Sequence, residues 1–144
     1  MKINTTNFNE FIKIVRSAQN QRPIIVISQN EEFNRKALEY GKFDILLSPE
    51  KSADKNKIRQ TNSGLNHVLA KISAKNKIAI GIDFKEINLL EKKEKAERLA
   101  KIAQNTKICR KAKAKIAFQK NIKTNSLLLT LGASTQQIKE AMPL

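Results

Sequence analysis

The chain holds a single histidine, His67, in the stretch SGLNHVLAK, with Ser63 one helical turn ahead of it. A serine and an imidazole at that spacing share a helix face, the minimum for a hydroxyl nucleophile activated by a base. Ser63 is equally the residue type that opens helices by accepting a backbone N–H, and the N-cap is the simpler explanation. On a helical wheel His67 falls about 160° from Leu65, away from the apolar stripe and beside Lys71. It reads as a helix-surface residue, bonded locally or touching a phosphate or a 2′-hydroxyl. A metal site needs three or four ligands. With no second histidine, Cys109 far away and no H-x-x-x-H or C-x-x-C, none is expected on the protein. Asp44 and Asp83 are the remaining candidates for chemistry, and Asp83 falls where parallel sheets open their active sites. Asp44 suits an ion pair as well, and Asp83 a helix cap. None of the four glycines forms a phosphate-loop or dinucleotide fingerprint.

Charge points more firmly than any single side chain. Lys and Arg number 28 against 13 Asp and Glu, a formal net charge of +15, which makes nucleic acid the first partner to consider. Two basic regions stand out. Lys55, Lys57 and Arg59 precede TNSGLN, a helix start whose free N–H groups and dipole accept an anion. From Arg98 to Lys139 the chain carries basic residues and no carboxylate. Within that region Arg110, Lys111 and Lys113 are the expected phosphate contacts, Arg110 through its planar fork. Six Phe, one Tyr and no Trp are too few for a base-stacking platform, so backbone and shape should dominate any RNA contact.

The elements that must position these residues follow from periodicity. Residues 6–20, 30–40, 63–75 and 91–114 have helical spacing, and Asn7, Asn30 and Ser63 are expected at the first three starts. Leu65, Val68, Leu69 and Ile72 should face inward in the third helix, and Ala96, Leu99, Ala100, Ala103 and Cys109 in the fourth. Residues 24–28, 43–49, 77–84 and 115–118 read as buried strands. Residues 125–131 and 134–142 read as short helices, the latter opened by a Ser134–Gln137 capping box. The stretch from Glu50 to Asn62 reads as a polar loop. Alternating strands and helices imply an α/β fold around a parallel sheet of four or five strands, either open or a partial barrel.

At 144 residues, without repeats or a linker, the chain is expected to be one domain spanning 1–144. One cysteine cannot form an internal disulfide, and neither a signal peptide nor a membrane span is evident. A cytoplasmic location is expected.

FDILLSPE, NSGLNHVLAKISAKNKIAIGIDF, KAERLAKIAQNTKICRKAKAKIAF and NSLLLTLGASTQQIKEAM occur in that order. Together they resemble the archaeal ribonuclease P protein component 3 family, related to a thirty-kilodalton eukaryotic subunit; the likeness covers about residues 43–142 and is weaker over 7–40. The resemblance implies a TIM-barrel-like fold related to phosphoesterases of the PHP type. It implies a subunit of the endoribonuclease that removes the 5′ leader of precursor tRNA, in which RNA with bound magnesium carries the chemistry. Expected partners are the ribonuclease P RNA, protein component 2 and, through the complex, precursor tRNA. Members of that family are longer, with further strand–helix units ahead of the matched region, which leaves closure of a barrel open. The RNA-binding set expected here is Lys55, Lys57, Arg59, Ser63, His67, Arg110, Lys111 and Lys113. Two alternatives remain: a ribosomal or general RNA-binding protein, and an autonomous phosphoesterase using Asp44, His67 and Asp83.

Overall fold

A computed structural model describes residues 1–51 and 62–144. Lys55, Lys57 and Arg59 lie outside the described residues. The chain runs β1 (Lys2–Ile3), α1 (Phe8–Ser17), β2 (Ile25–Ile27), α2 (Glu31–Tyr40), β3 (Ile45–Leu47) and a 3-10 turn (Pro49–Lys51). It continues with α3 (His67–Lys75), β4 (Ala79–Gly81), α4 (Phe84–Asn88), α5 (Lys92–Ala112), β5 (Ile116–Phe118), α6 (Ile122–Thr130), α7 (Thr135–Glu140) and β6 (Met142–Pro143). All strand pairs are parallel and the spatial order is β1 to β6 in sequence, a singly wound, partial β/α barrel. Six strands replace the four or five expected. The additional β1 and β6 have only two residues each, too short to show a period.

Strand alternation divides the core. Ile24, Val26, Leu46, Ile78, Ile80, Ile116 and Phe118 face the helices. Ile25, Ile45, Leu47, Ala79 and Ala117 form a second cluster, with Ile27, Met142 and Leu144 packed on it. Bulk on β3 is matched by small residues on β4. An added Cβ on Gly81 would stand 2.8 Å from the Ile45 side chain and 2.9 Å from that of Leu47, so a larger residue there would force β3 side chains to move. Every aromatic ring is committed to packing. Phe8, Phe11, Phe33, Tyr40 and Phe43 form one cluster, while Phe84 meets Phe118 edge-on at 6.3 Å.

The first helix after each of β1 to β5 opens with a side-chain cap, from Asn7, Asn30, Asn66, Asp83 and Asn121 respectively. The Ser134–Gln137 capping box forms as expected. The cap assigned to Ser63 is corrected. Helix α3 begins at His67, and Asn66 Oδ1 accepts the Leu69 N–H at 2.9 Å. The reason is Gly64, whose φ of +73° folds the chain against the Pro49 carbonyl and turns Ser63 inward. Of the expected inward set Leu65 and Leu69 are buried and Ile72 packs against the core, whereas Val68 is 58% exposed and Ala70 and Ser73 complete the buried face of α3. In α5 the buried stripe is Ile102, Asn105, Thr106 and Cys109, with Ala96 and Ala100 at the surface and Leu99 half-buried.

Candidate nucleic-acid interface

Helix α5 carries the basic region to one end of the sheet. Its inward stripe ends at Cys109, so Arg110 and Lys111, one and two steps further round, emerge on the surface. Lys113 closes the helix in the left-handed region, with φ 58°. Arg110 Nη1 donates to the Gly132 carbonyl at 3.3 Å, where α6 ends. Gln137 Nε2 donates to the Thr106 carbonyl at 2.9 Å and ties α7 to the same helix.

Between α5 and α7 lies a cleft of ≈ 370 Å³ with an apolar floor of Cys109, Ala114 and Ile116. Its walls carry Arg110, Lys113 and Lys115 together with Ser134, Gln136, Gln137 and Glu140. Three cations beside one carboxylate, which the Gln136 amide engages, suit an anion such as a phosphate. They do not make a nucleophile. Burial pushes the Cys109 thiol up to about 12, and it stays protonated at neutral pH.

The expected site residues fall at two ends of the molecule. His67 is exposed at the start of α3, on the side where the strands finish. Arg110, Lys111 and Lys113 are exposed where β5 is about to begin. A nine-residue helix such as α3 spans about 13 Å, and the two groups stand at opposite ends of the sheet. Ser63 is 1% exposed: its hydroxyl donates to the Leu65 carbonyl at 3.2 Å, and its own carbonyl accepts from Asn105 Nδ2 at 3.0 Å. That hydroxyl is interior, and neither nucleophile nor surface contact.

Asp44 and Asp83 are likewise separated. Asp44 precedes β3, where its carboxylate meets Arg22 Nη1 at 2.5 Å and accepts the Ile24 N–H at 2.7 Å. Asp83 follows β4 and caps α4, accepting the Lys85 and Glu86 N–H groups at 3.1 and 3.2 Å. The phosphoesterase alternative therefore has no assembled site. Among the described residues no three His, Cys, Asp or Glu side chains gather closely enough to hold a metal. No helix among them is long and apolar enough to cross a membrane.

One ion cluster was missed. Glu50, assigned to a polar loop, is 1% exposed and bonds Arg98 Nη2 at 3.0 Å; Arg98 also stands 3.7 Å from Glu86, which pairs with Lys51 at 2.8 Å. Burial raises the Glu50 carboxyl above its ordinary 4.5, while Arg98 pulls it down. Arg98, the first residue of the basic region, is thus a structural cation. The signal was present, since Arg98 lies one turn ahead of Ile102 on the stripe that continues through Asn105, Thr106 and Cys109.

Fold and charge define a class before any comparison: a one-sided β/α half-barrel that presents cations around a cleft. No family model matches the chain. Proteins named ribonuclease P protein component 3 do. That of Methanococcus maripaludis is 31% identical over 114 residues, covering 77% of this chain and 45% of the relative. That of Methanocaldococcus jannaschii is 30% identical over 112 residues, with 77% and 45% covered. The chain spans about half the length of the curated relatives it matches. Among solved structures, a chain in a cryo-EM structure of archaeal ribonuclease P with mature tRNA superposes with a TM-score of 0.80 at 24% identity. That match covers 96% of this chain and 63% of the other, and it establishes the shared fold. The chain is a relative of the ribonuclease P protein component 3 family.

Proposed function

We propose that this chain serves as a protein subunit of ribonuclease P, the ribonucleoprotein that removes the 5′ leader from precursor tRNA. The observation that carries this reading is the similarity to component 3, 31% identity across 77% of the chain. The protein itself is non-catalytic. The RNA, with its bound magnesium, performs the cleavage in the cytoplasm, and the chain supports it by neutralising phosphates with Arg110, Lys111 and Lys113. Protein component 2 is its protein partner, and precursor tRNA is met through the complex. Five of the seven aromatic side chains are buried and the other two, Phe8 and Tyr40, pack against the core, which supports recognition by backbone charge in preference to base stacking.

The test is to recover the tagged protein from its host and sequence the RNA that accompanies it. Enrichment of ribonuclease P RNA, together with component 2, is the expected result. Recovery of ribosomal RNA instead, or of no RNA, would overturn the assignment.

A further inference from the structure

Three helix-to-strand corners at the N-terminal rim of the sheet carry a lysine in the left-handed region. They are Lys42 (φ 63°) ahead of β3, Lys77 (φ 58°) ahead of β4 and Lys113 (φ 58°) ahead of β5. Residues with a Cβ adopt this conformation at a cost that glycine escapes. The chain uses glycine where it closes α6: Gly132 N donates to the Leu129 carbonyl and Ala133 N to that of Leu128, with φ 99° at Gly132. Helices α3 and α5 end in the same pair of bonds. Lys77 N meets Ala74 and Ile78 N meets Ser73 in one; Lys113 N meets Arg110 and Ala114 N meets Cys109 in the other. A cation therefore occupies a position at which the backbone favours glycine, twice in the same motif.

These corners adjoin one another. Asn76 Nδ2 donates to the Leu38 carbonyl at 2.6 Å, and a Cβ on Gly41 would sit 3.7 Å from the Asn76 side chain, so the corners of α2 and α3 touch. A second cleft of ≈ 360 Å³ lies between Lys77 and the pair Lys113 and Lys115, floored by Ala74, Ile78 and Met142. Lys113 and Lys115 wall the first cleft too, so they form the ridge between the two. Lys42, Lys77, Lys115, Lys113 and Arg110 thus line the rim across three adjacent strands. No described carboxylate lies within ion-pair distance of any of them. Asp44 is neutralised by Arg22, and Glu140 is the one acid in either cleft wall.

We propose that this rim is a track for the phosphodiester backbone of RNA, with Lys42, Lys77 and Lys115 extending the contact made by Arg110, Lys111 and Lys113. The inference rests on the RNA-binding reading above and adds its location and extent: the end of the sheet opposite the one where barrel enzymes place their active sites. A protein partner is disfavoured because interfaces draw on large apolar anchors. None of the exposed large hydrophobic side chains (Met1, Val68, Leu89, Ile122, Leu129) lines either cleft.

The test combines Lys42→Asn, Lys77→Asn and Lys115→Gln, since asparagine tolerates the left-handed backbone. An unchanged thermal melt establishes that the variant is folded. Binding to a fluorescein-labelled RNA hairpin of about 40 nucleotides is then followed by anisotropy from about 50 to 300 mM salt. Three lost phosphate contacts should flatten the slope of log affinity against log salt by about 2 to 3. A wild-type slope in the rim variant, with a reduced slope in an Arg110, Lys111 and Lys113 variant, overturns the rim and leaves the RNA reading standing. Absence of salt-dependent binding by the unmodified protein overturns both. Unchanged RNA affinity with lost binding to poly-glutamate would assign the rim to an acidic protein and overturn the proposal.

Discussion

Arg98→Met would strand the Glu50 carboxylate in the interior. Glu50 is 1% exposed and Arg98 12%, with the guanidinium supplying the countercharge at 3.0 Å. Removing one partner of such a pair costs about 3–5 kcal/mol, because the remaining charge keeps its desolvation penalty without compensation. Arg98 retains some contact with water and its Nε has no partner among the described residues, which places the expected loss near the lower end, about 3 kcal/mol. The exposed Lys51–Glu86 pair adds little. With a urea m-value of about 2 kcal/mol/M, the unfolding midpoint should fall by about 1.5 M.

The loss should also depend on pH. Burial raises the Glu50 pKa, so the folded state takes up its proton more readily than the unfolded chain. Its contribution to stability is fully present below the ordinary value of 4.5 and is lost as pH rises through the folded pKa. Without Arg98 that folded pKa climbs further, so the deficit at pH 8 should shrink steadily toward pH 5. Glu50→Gln combined with Arg98→Met removes both charges and should recover most of the stability at pH 8. Urea melts of the two variants and the unmodified protein across that range are the assay. A loss under about 1 kcal/mol, or one independent of pH, would refute the reading of a buried, mutually dependent pair.

Two further predictions concern the segment around α3. Gly64→Ala should cost about 3 kcal/mol or more, since the new Cβ would stand 1.9 Å from the Pro49 carbonyl oxygen at a φ of +73°, and chemical denaturation measures it. Asn66→Ala should lower stability by about 1 kcal/mol through loss of the cap, whereas exposed His67→Gln should change it by less than about 0.5 kcal/mol and leave precursor-tRNA cleavage within a few-fold of normal. Equal effects at the two positions would show that the helix start is wrongly placed.

Much of this architecture was legible because it is local. Short apolar runs flanked by polar residues specify β2 to β5, and asparagines at the proper offset from apolar stripes mark the starts of α1 and α2. The order of strands and helices then leaves a right-handed parallel winding as the consistent outcome. The basic end of α5 was readable from Arg110, Lys111 and Lys113 following Cys109, although the rest of its inward stripe was not, since Ile102, Asn105 and Thr106 take the place of Ala96 and Ala100.

What escaped was decided by contacts between residues distant in the chain. Ser63 and Asn66 are equally good capping residues by type, and the choice fell to Asn66 because Gly64 is pressed on Pro49 and Ser63 is held by Asn105, 42 positions away. Arg98 and Glu50 looked like surface charges until the 3-10 turn packed on α5 and buried them together. Lys42, Lys77 and Lys113 are scattered through the sequence as three ordinary lysines. Parallel strands all begin at one end of the sheet, and that geometry alone gathers them into a single rim. Sequence by itself determined the longer helices, the four central strands and the sign of the surface charge, since hydrogen bonding and burial along a segment act over a few residues, whereas β1, α4 and β6 are too short to show a pattern. Only the tertiary structure decided which charges are spent inside and which face a partner, because desolvation depends on neighbours brought in from elsewhere in the chain.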